Sequence, residues 1–166
     1  MAHGVVRTDK MFGTDNRTGL WTLQYLPSNT ATAVDNGNVV VRGDLVTGER
    51  EIYKASTPTT TTALEDVVLV ATPEVEYDAR KYAIDEFENK AGALLRGYSL
   101  KQGCIFSVTK DALGGASTPA VGNLVELQAG TKLKVVASAT ANTTQVGKII
   151  AIETVGRFTY YVIQVG

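Results

Sequence analysis

Any chemistry in this chain has to come from one cysteine, one histidine and a cluster of acids. Six carboxylates, Glu74, Glu76, Asp78, Asp85, Glu86 and Glu88, lie close together in the sequence. Glycoside hydrolysis needs two acids roughly 5 to 9.5 Å apart, one of them held protonated. Here the acids alternate with Arg80, Lys81 and Lys90, the pattern of a solvated, charge-balanced surface. A nucleophilic relay needs its base held within hydrogen-bond reach of the nucleophile. His3, the only histidine, lies in an unpatterned N-terminal stretch that promises no such support. Cys104 alternates with its neighbours in GCIFSVT and reads as a small core hydrophobe. A reactive thiol would need a polarising partner, and the sequence beside it offers none.

Metal and phosphate chemistry fare no better. One His and one Cys cannot furnish a four-ligand zinc site. The pairs Asp15–Asn16 and Asp35–Asn36 lack the loop spacing and the terminal bidentate Glu of an EF-hand, so they read as turn residues. Gly130-Thr131-Lys132 and Gly147-Lys148-Ile149 do not have P-loop spacing, and no GxGxxG occurs. The sequence therefore assigns no catalytic, cofactor-binding or metal-ligating residue, and the expectation is a protein that is not an enzyme.

Charge narrows the partners. With 16 basic against 17 acidic residues the net charge is −1, whereas phosphate contacts demand a basic excess. Tyr160 and Tyr161 are the natural candidates for base stacking, but they sit in an apolar run with only Arg157 nearby. Core packing is the better reading, and no nucleic-acid partner is expected. No apolar run approaches the ~18 residues of a membrane span, and MAHGVVRTDK has no apolar signal core, so a soluble protein made in a cytoplasm is expected.

The elements behind these residues are strands. Apolar residues at 44% and charged residues at 20% suit a globular chain with a real core. Residues 1–19 read as an extended arm, and 20–166 as a single β-rich domain. Trp21, Leu23 and Tyr25 alternate with polar residues in a half-buried strand. NVVVRGDLV and EREIYKA form a hairpin about Thr47–Gly48, STPTTTTA (56–63) a polar loop, and DVVLVA a buried strand. Residues 74–96 carry Ala83, Phe87, Ala91 and Leu94 near helical spacing but lack a firm cap, which leaves a linking helix and a turn-rich segment equally open. They would separate possible subdivisions 20–73 and 97–166. From Gly103 onward, five strand-like runs separated by glycine turns predict a small antiparallel β-barrel in the C-terminal half, since closure removes open edges. Its last hairpin turns at Val155–Gly156 and is apolar on both faces. One face fills the barrel, and the other must pack on the N-terminal half or on a neighbouring chain.

Across nearly its whole length the chain resembles the capsid decoration, or cement, proteins of tailed bacteriophages. The likeness is carried by GVVRTDKMFGT, DNGNVVVRGDLVTGEREIYKA, EDVVLVATPEVEYDARK, ENKAG, RGYSLKQGCIFSVT and VGKIIAIETVGRFTYYVIQV. It is a likeness of overall pattern without a diagnostic motif. It implies a structural virion protein, assembled in the host cytoplasm, that binds the outer capsid surface and stabilises contacts between major capsid protein subunits. Self-association on that surface, as a trimer for instance, would follow, with no cofactor. Another phage structural role (head fibre base, tail component or receptor-binding module) is the alternative, ahead of a cellular binding domain or an unrecognised enzyme. Within the arm, Val5, Val6, Arg7, Met11 and Phe12 are the expected capsid contacts, laid into a groove or added as a strand.

Overall fold

The computed structural model describes residues 2–11, 19–78, 80 and 83–166. Eleven strands carry the described fold: β1 (Leu20–Tyr25), β2 (Val39–Leu45), β3 (Ile52–Ser56), β4 (Val67–Val70), β5 (Leu94–Ser99), β6 (Ile105–Thr109), β7 (Leu113–Gly115), β8 (Leu124–Glu126), β9 (Leu133–Val136), β10 (Gln145–Val155) and β11 (Phe158–Val165). Only single 3-10 turns punctuate them, and no α-helix occurs among the described residues. The fold is mainly β, as the composition implied.

The closed barrel lies in the N-terminal half. Its order is β1-β3-β2-β4-β5, closed by antiparallel pairing of β1 with β5 and by a parallel pair between β1 and β3. Leu23, Tyr25, Val40, Ala55, Val68, Val70 and Leu95 fill it. The C-terminal strands instead form a six-stranded sheet, β6-β11-β10-β8-β9-β7. Its two outermost strands, β6 and β7, are joined by the short turn Lys110–Ala112, which brings the sheet's ends towards each other. The C-terminal half therefore curls in the way its strand pattern predicted, while the closed barrel is built from other strands.

β2 and β4 explain how the halves share one core. Side chains alternate across a strand, so consecutive valines serve opposite faces. Val40, Val68 and Val70 point into the barrel, whereas Val39, Val67 and Leu69 join Phe106, Val108, Leu127, Leu133, Ile149 and Ile163. That is why DVVLVA has no polar residue between its ends. On the last hairpin, Ile163 and Val165 enter this shared core. Tyr160, on the opposite face, is covered from the N-terminal side, where the Arg7 guanidinium lies 5.7 Å from its ring centroid. Burial pushes the Tyr160 phenol above its ordinary range, with Arg7 pulling the other way. Cys104 is buried in the same core, as its alternation suggested.

One open choice is decided and one expectation needs correction. Of the two alternatives open for 74–96, the described residues take the turn-rich one, with one 3-10 turn at Ile84–Glu86, and the end of the segment supplies β5. The described N-terminal residues are not a free arm. Val6 bridges Val108 antiparallel, the Arg7 N–H donates to the Ser107 carbonyl (3.1 Å), and the Thr109 N–H donates to the Val5 carbonyl (3.1 Å). The outer edge of β6 needed a partner, and this segment provides it. A side chain at Gly4 would place its Cβ 2.3 Å from the Asn36 carbonyl oxygen, so only glycine lets the segment lie this close.

Candidate functional site

The residue types best suited to binding converge on one region, built by 72–94 and the loop before β2. Its frame is Asn36, which is 1% exposed. The Asn36 side-chain N–H donates to the Thr72 carbonyl (2.8 Å) and to a Glu74 carboxylate oxygen (3.2 Å). Its Oδ1 accepts from the Thr72 N–H and from the Asn89 side chain, both at 3.0 Å. One amide thus fastens both ends of an irregular segment to the barrel. The Val34 N–H donating to the Asn89 carbonyl (3.1 Å) completes the attachment.

On the outer side of this frame lies an apolar groove of about 230 Å³, lined by Val75, Tyr77, Phe87 and Leu94. Tyr77 is 94% exposed, Val75 60% and Leu94 51%. The Glu76–Lys90 ion pair, at 4.0 Å, joins two of its lining residues. Isolated exposed apolar residues mean little, but here three of them, Val75, Tyr77 and Leu94, surround one concavity. Beside it the Ile84–Glu86 turn exposes Ile84 and is pinned by the Arg157–Asp85 ion pair to the tip of the last hairpin, where Val155 is also exposed.

On the inner side lies a second pocket, about 290 Å³, which includes His3, Asp35, Asn38, Glu88 and Thr131 in its lining. His3 Nδ1 lies 2.8 Å from Asp35 Oδ1, and potential ligand atoms of His3, Asp35 and Glu88 all fall within 4.8 Å of one another. The backbone N–H of His3 also donates to the Asp85 backbone carbonyl (3.0 Å), fixing the residue through both main chain and side chain. Sequence reading missed this trio, because its members come from three separate segments.

The acids of 74–88 do not converge as a catalytic pair. Glu74 meets Asn36, Glu76 meets Lys90, Asp78 pairs with Arg80, and Asp85 pairs with Arg157. Glu86 reaches back to the Ala83 N–H at 3.4 Å, and only Glu88 faces other ligand-type groups. Asp35 belongs to the His3 pocket, while Asp15 and Asn16 fall outside the described residues. Among the arm residues expected to touch a capsid, Val5 and Val6 are 2% and 3% exposed and belong to this chain's own interior. Met11 packs partly against the shared core, Arg7 lies against Tyr160, and Phe12 falls outside the described residues. The Thr-rich loop is mostly exposed yet anchored, with Pro58 buried and the Thr60 carbonyl accepting from the Thr144 N–H (2.8 Å).

A third feature, the aromatic pair Trp21 and Tyr53, is structural in its contacts. Their rings meet edge to face at 5.2 Å, Arg42 sits 4.2 Å from the Trp21 ring centroid, and the indole N–H donates to Ser99 Oγ at 2.7 Å. In comparisons with protein-family models, curated proteins and solved structures, none matches this chain.

Proposed function

We propose that this chain is a structural virion protein that binds the outer surface of a tailed-phage capsid and bridges major capsid protein subunits. The supporting observation is the groove bearing Tyr77: an aromatic anchor held out in solvent on a segment braced from behind by Asn36. Interfaces draw most of their energy from such anchors, aromatic ones especially. A braced surface also loses little conformational entropy on docking. Repetition over a shell then turns modest single-site affinity into high occupancy. On this reading the capsid contacts lie in Val75, Tyr77 and Leu94 rather than in the buried Val5 and Val6. Self-association on the shell and assembly in the host cytoplasm belong to the same proposal.

The test is sedimentation of purified protein with undecorated heads, counting bound copies per particle. Saturation at a number matching the shell's lattice supports the proposal. No binding to heads refutes it and directs attention to tails and fibres. Tyr77→Ser removes an aromatic anchor worth at least about 2 kcal/mol, so it weakens binding about 30-fold. Because Tyr77 is almost wholly exposed, the same change leaves the unfolding midpoint within experimental error. Unchanged binding by that variant would remove the groove from the interface.

A further inference from the structure

We propose that His3, Asp35 and Glu88 form a binding site for a divalent transition-metal cation of the Zn²⁺ or Mn²⁺ kind, which clasps the N-terminal segment to the barrel. The inference is independent of the capsid reading. One imidazole and two carboxylates, all half-buried, offer ligand atoms within 4.8 Å of one another. Metal–ligand bonds to N and O run about 2.0 to 2.2 Å, which places neighbouring ligand atoms about 3.0 to 3.5 Å apart from octahedral to tetrahedral geometry. The existing 2.8 Å between His3 Nδ1 and Asp35 Oδ1 is already close to that spacing. An imidazole ligand with carboxylates suits zinc or manganese better than the all-oxygen sets that calcium and magnesium prefer.

A second observation points to a ligand in the same pocket. Asn38 lines it, is 5% exposed, and donates through its Nδ2 to Thr131 Oγ1 at 3.1 Å. Its Oδ1 is buried and accepts no hydrogen bond among the described residues. A buried carbonyl oxygen left unpaired costs about 1–3 kcal/mol, and a fold seldom carries that cost without a reason. A hydrated cation in this pocket would offer that oxygen a coordinated water as its partner.

The site sits where a cation would matter structurally. His3 lies three residues before the β-bridge of Val6, Asp35 follows Val34, and Glu88 precedes Asn89, whose side chain meets Asn36. Glu88 lines both the cation pocket and the apolar groove. Metal binding would therefore tie the segment carrying the groove to the N-terminal residues, and by linkage would raise the stability of the folded chain.

The experiment uses the untagged full chain, treated with chelator and titrated with Zn²⁺ and, separately, with Mn²⁺. The expected result is one equivalent bound, a raised thermal midpoint, and affinity reduced about tenfold or more in each of His3→Gln, Asp35→Asn and Glu88→Gln. Absence of binding at millimolar metal overturns the proposal. So does loss in His3→Gln alone with Asp35→Asn and Glu88→Gln unaffected, because that describes a lone surface imidazole. A readout on the wild-type chain guards against variants that fail to fold. His3 is the only histidine, so its ring resonances are unambiguous. One equivalent of Zn²⁺ must shift them, and Mn²⁺ must broaden the amide signals of residues 35 and 88. A Zn²⁺-insensitive ring, or broadening confined to the first few residues, refutes the site.

Discussion

Replacing Asn36 by alanine tests whether one buried amide supports the groove. The change removes four hydrogen bonds, at 2.8, 3.2, 3.0 and 3.0 Å. Glu74 is a half-buried side chain that can turn to water, but three groups lose the Asn36 partner in place: the N–H and carbonyl of half-buried Thr72, and the buried Asn89 amide. Each stranded group costs about 1–3 kcal/mol, and a water entering the vacated space recovers part of it. The expected loss is about 3–4 kcal/mol, a large fraction of the 5–15 kcal/mol that holds a typical domain.

Urea unfolding of chelator-treated protein, read from the midpoint at constant m, measures this loss without a contribution from bound metal. A double-mutant cycle sharpens the argument. Asn89→Ala alone removes one side-chain bond and should cost about 1–2 kcal/mol, since the Asn89 carbonyl still accepts from Val34. The double variant should be less damaging than the sum by about 1 kcal/mol, because the Asn89 amide that Asn36→Ala strands is no longer present. A loss below about 1 kcal/mol for Asn36→Ala, or strict additivity, would refute the idea that this amide braces the segment.

Two other residues make separate predictions. Glu126 is fully buried on β8, where it accepts from the Thr140 hydroxyl (2.6 Å), the Thr140 N–H (3.1 Å) and Lys134 Nζ (3.1 Å). Burial alone would push this carboxyl up, but those donors outweigh it and hold the pKa below the ordinary glutamate range. A depressed native pKa gives stability that is present above the unfolded value and is lost as pH falls through the native one. Glu126→Gln should therefore cost about 2–3 kcal/mol near neutral pH, with the gap to wild type narrowing below about pH 4.3. Parallel pH–stability curves for the two proteins would contradict that assignment. Gly147, where β10 meets β11, has no room for a methyl group, since a Cβ there would sit 1.9 Å from the Gln164 carbonyl oxygen. Gly147→Ala must spread the two strands and should lower stability by about 3 kcal/mol, as measured by thermal or urea unfolding. A loss under 1 kcal/mol would mean the hairpin is not closely packed there.

Much of this fold was legible where a strand announces itself through alternation or through a β-branched run. LWTLQYL, DVVLVA and RFTYYVIQV became β1, β4 and β11 within a residue or two of their expected limits. β5 was hidden because Leu94 and Leu95 also extend an apparent helical stripe beginning at Ala83, and a short apolar run does not reveal its own period. The barrel's position was hidden for another reason. Its closure depends on the parallel pairing of β1 with β3, a contact that local hairpin reasoning does not generate. The N-terminal residues were misread because Val5 and Val6 have no repeat around them. Their order comes from the vacant edge of β6, which lies far along the chain. The His3, Asp35 and Glu88 group is invisible to spacing arguments for the same reason, since its members come from three segments that share no motif and meet only in the fold.

The occupied edge of β6 constrains how any partner binds. Strand addition needs an open row of backbone donors and acceptors. Residues 5–7 already fill that row on β6, and β7, at the other end of the sheet order, is only three residues long. A capsid strand pairing with β6 would have to expel Val5 and Val6, both almost wholly buried, at a cost of about 1.5–3 kcal/mol each before any compensation. It would also pull His3 away from Asp35 and Asp85, undoing the clasp beside the groove. Side-chain docking into the groove around Tyr77 requires none of this. If the chain does cement a shell, its affinity should therefore depend on residues 75–94, and the N-terminal segment should act by holding that surface in place.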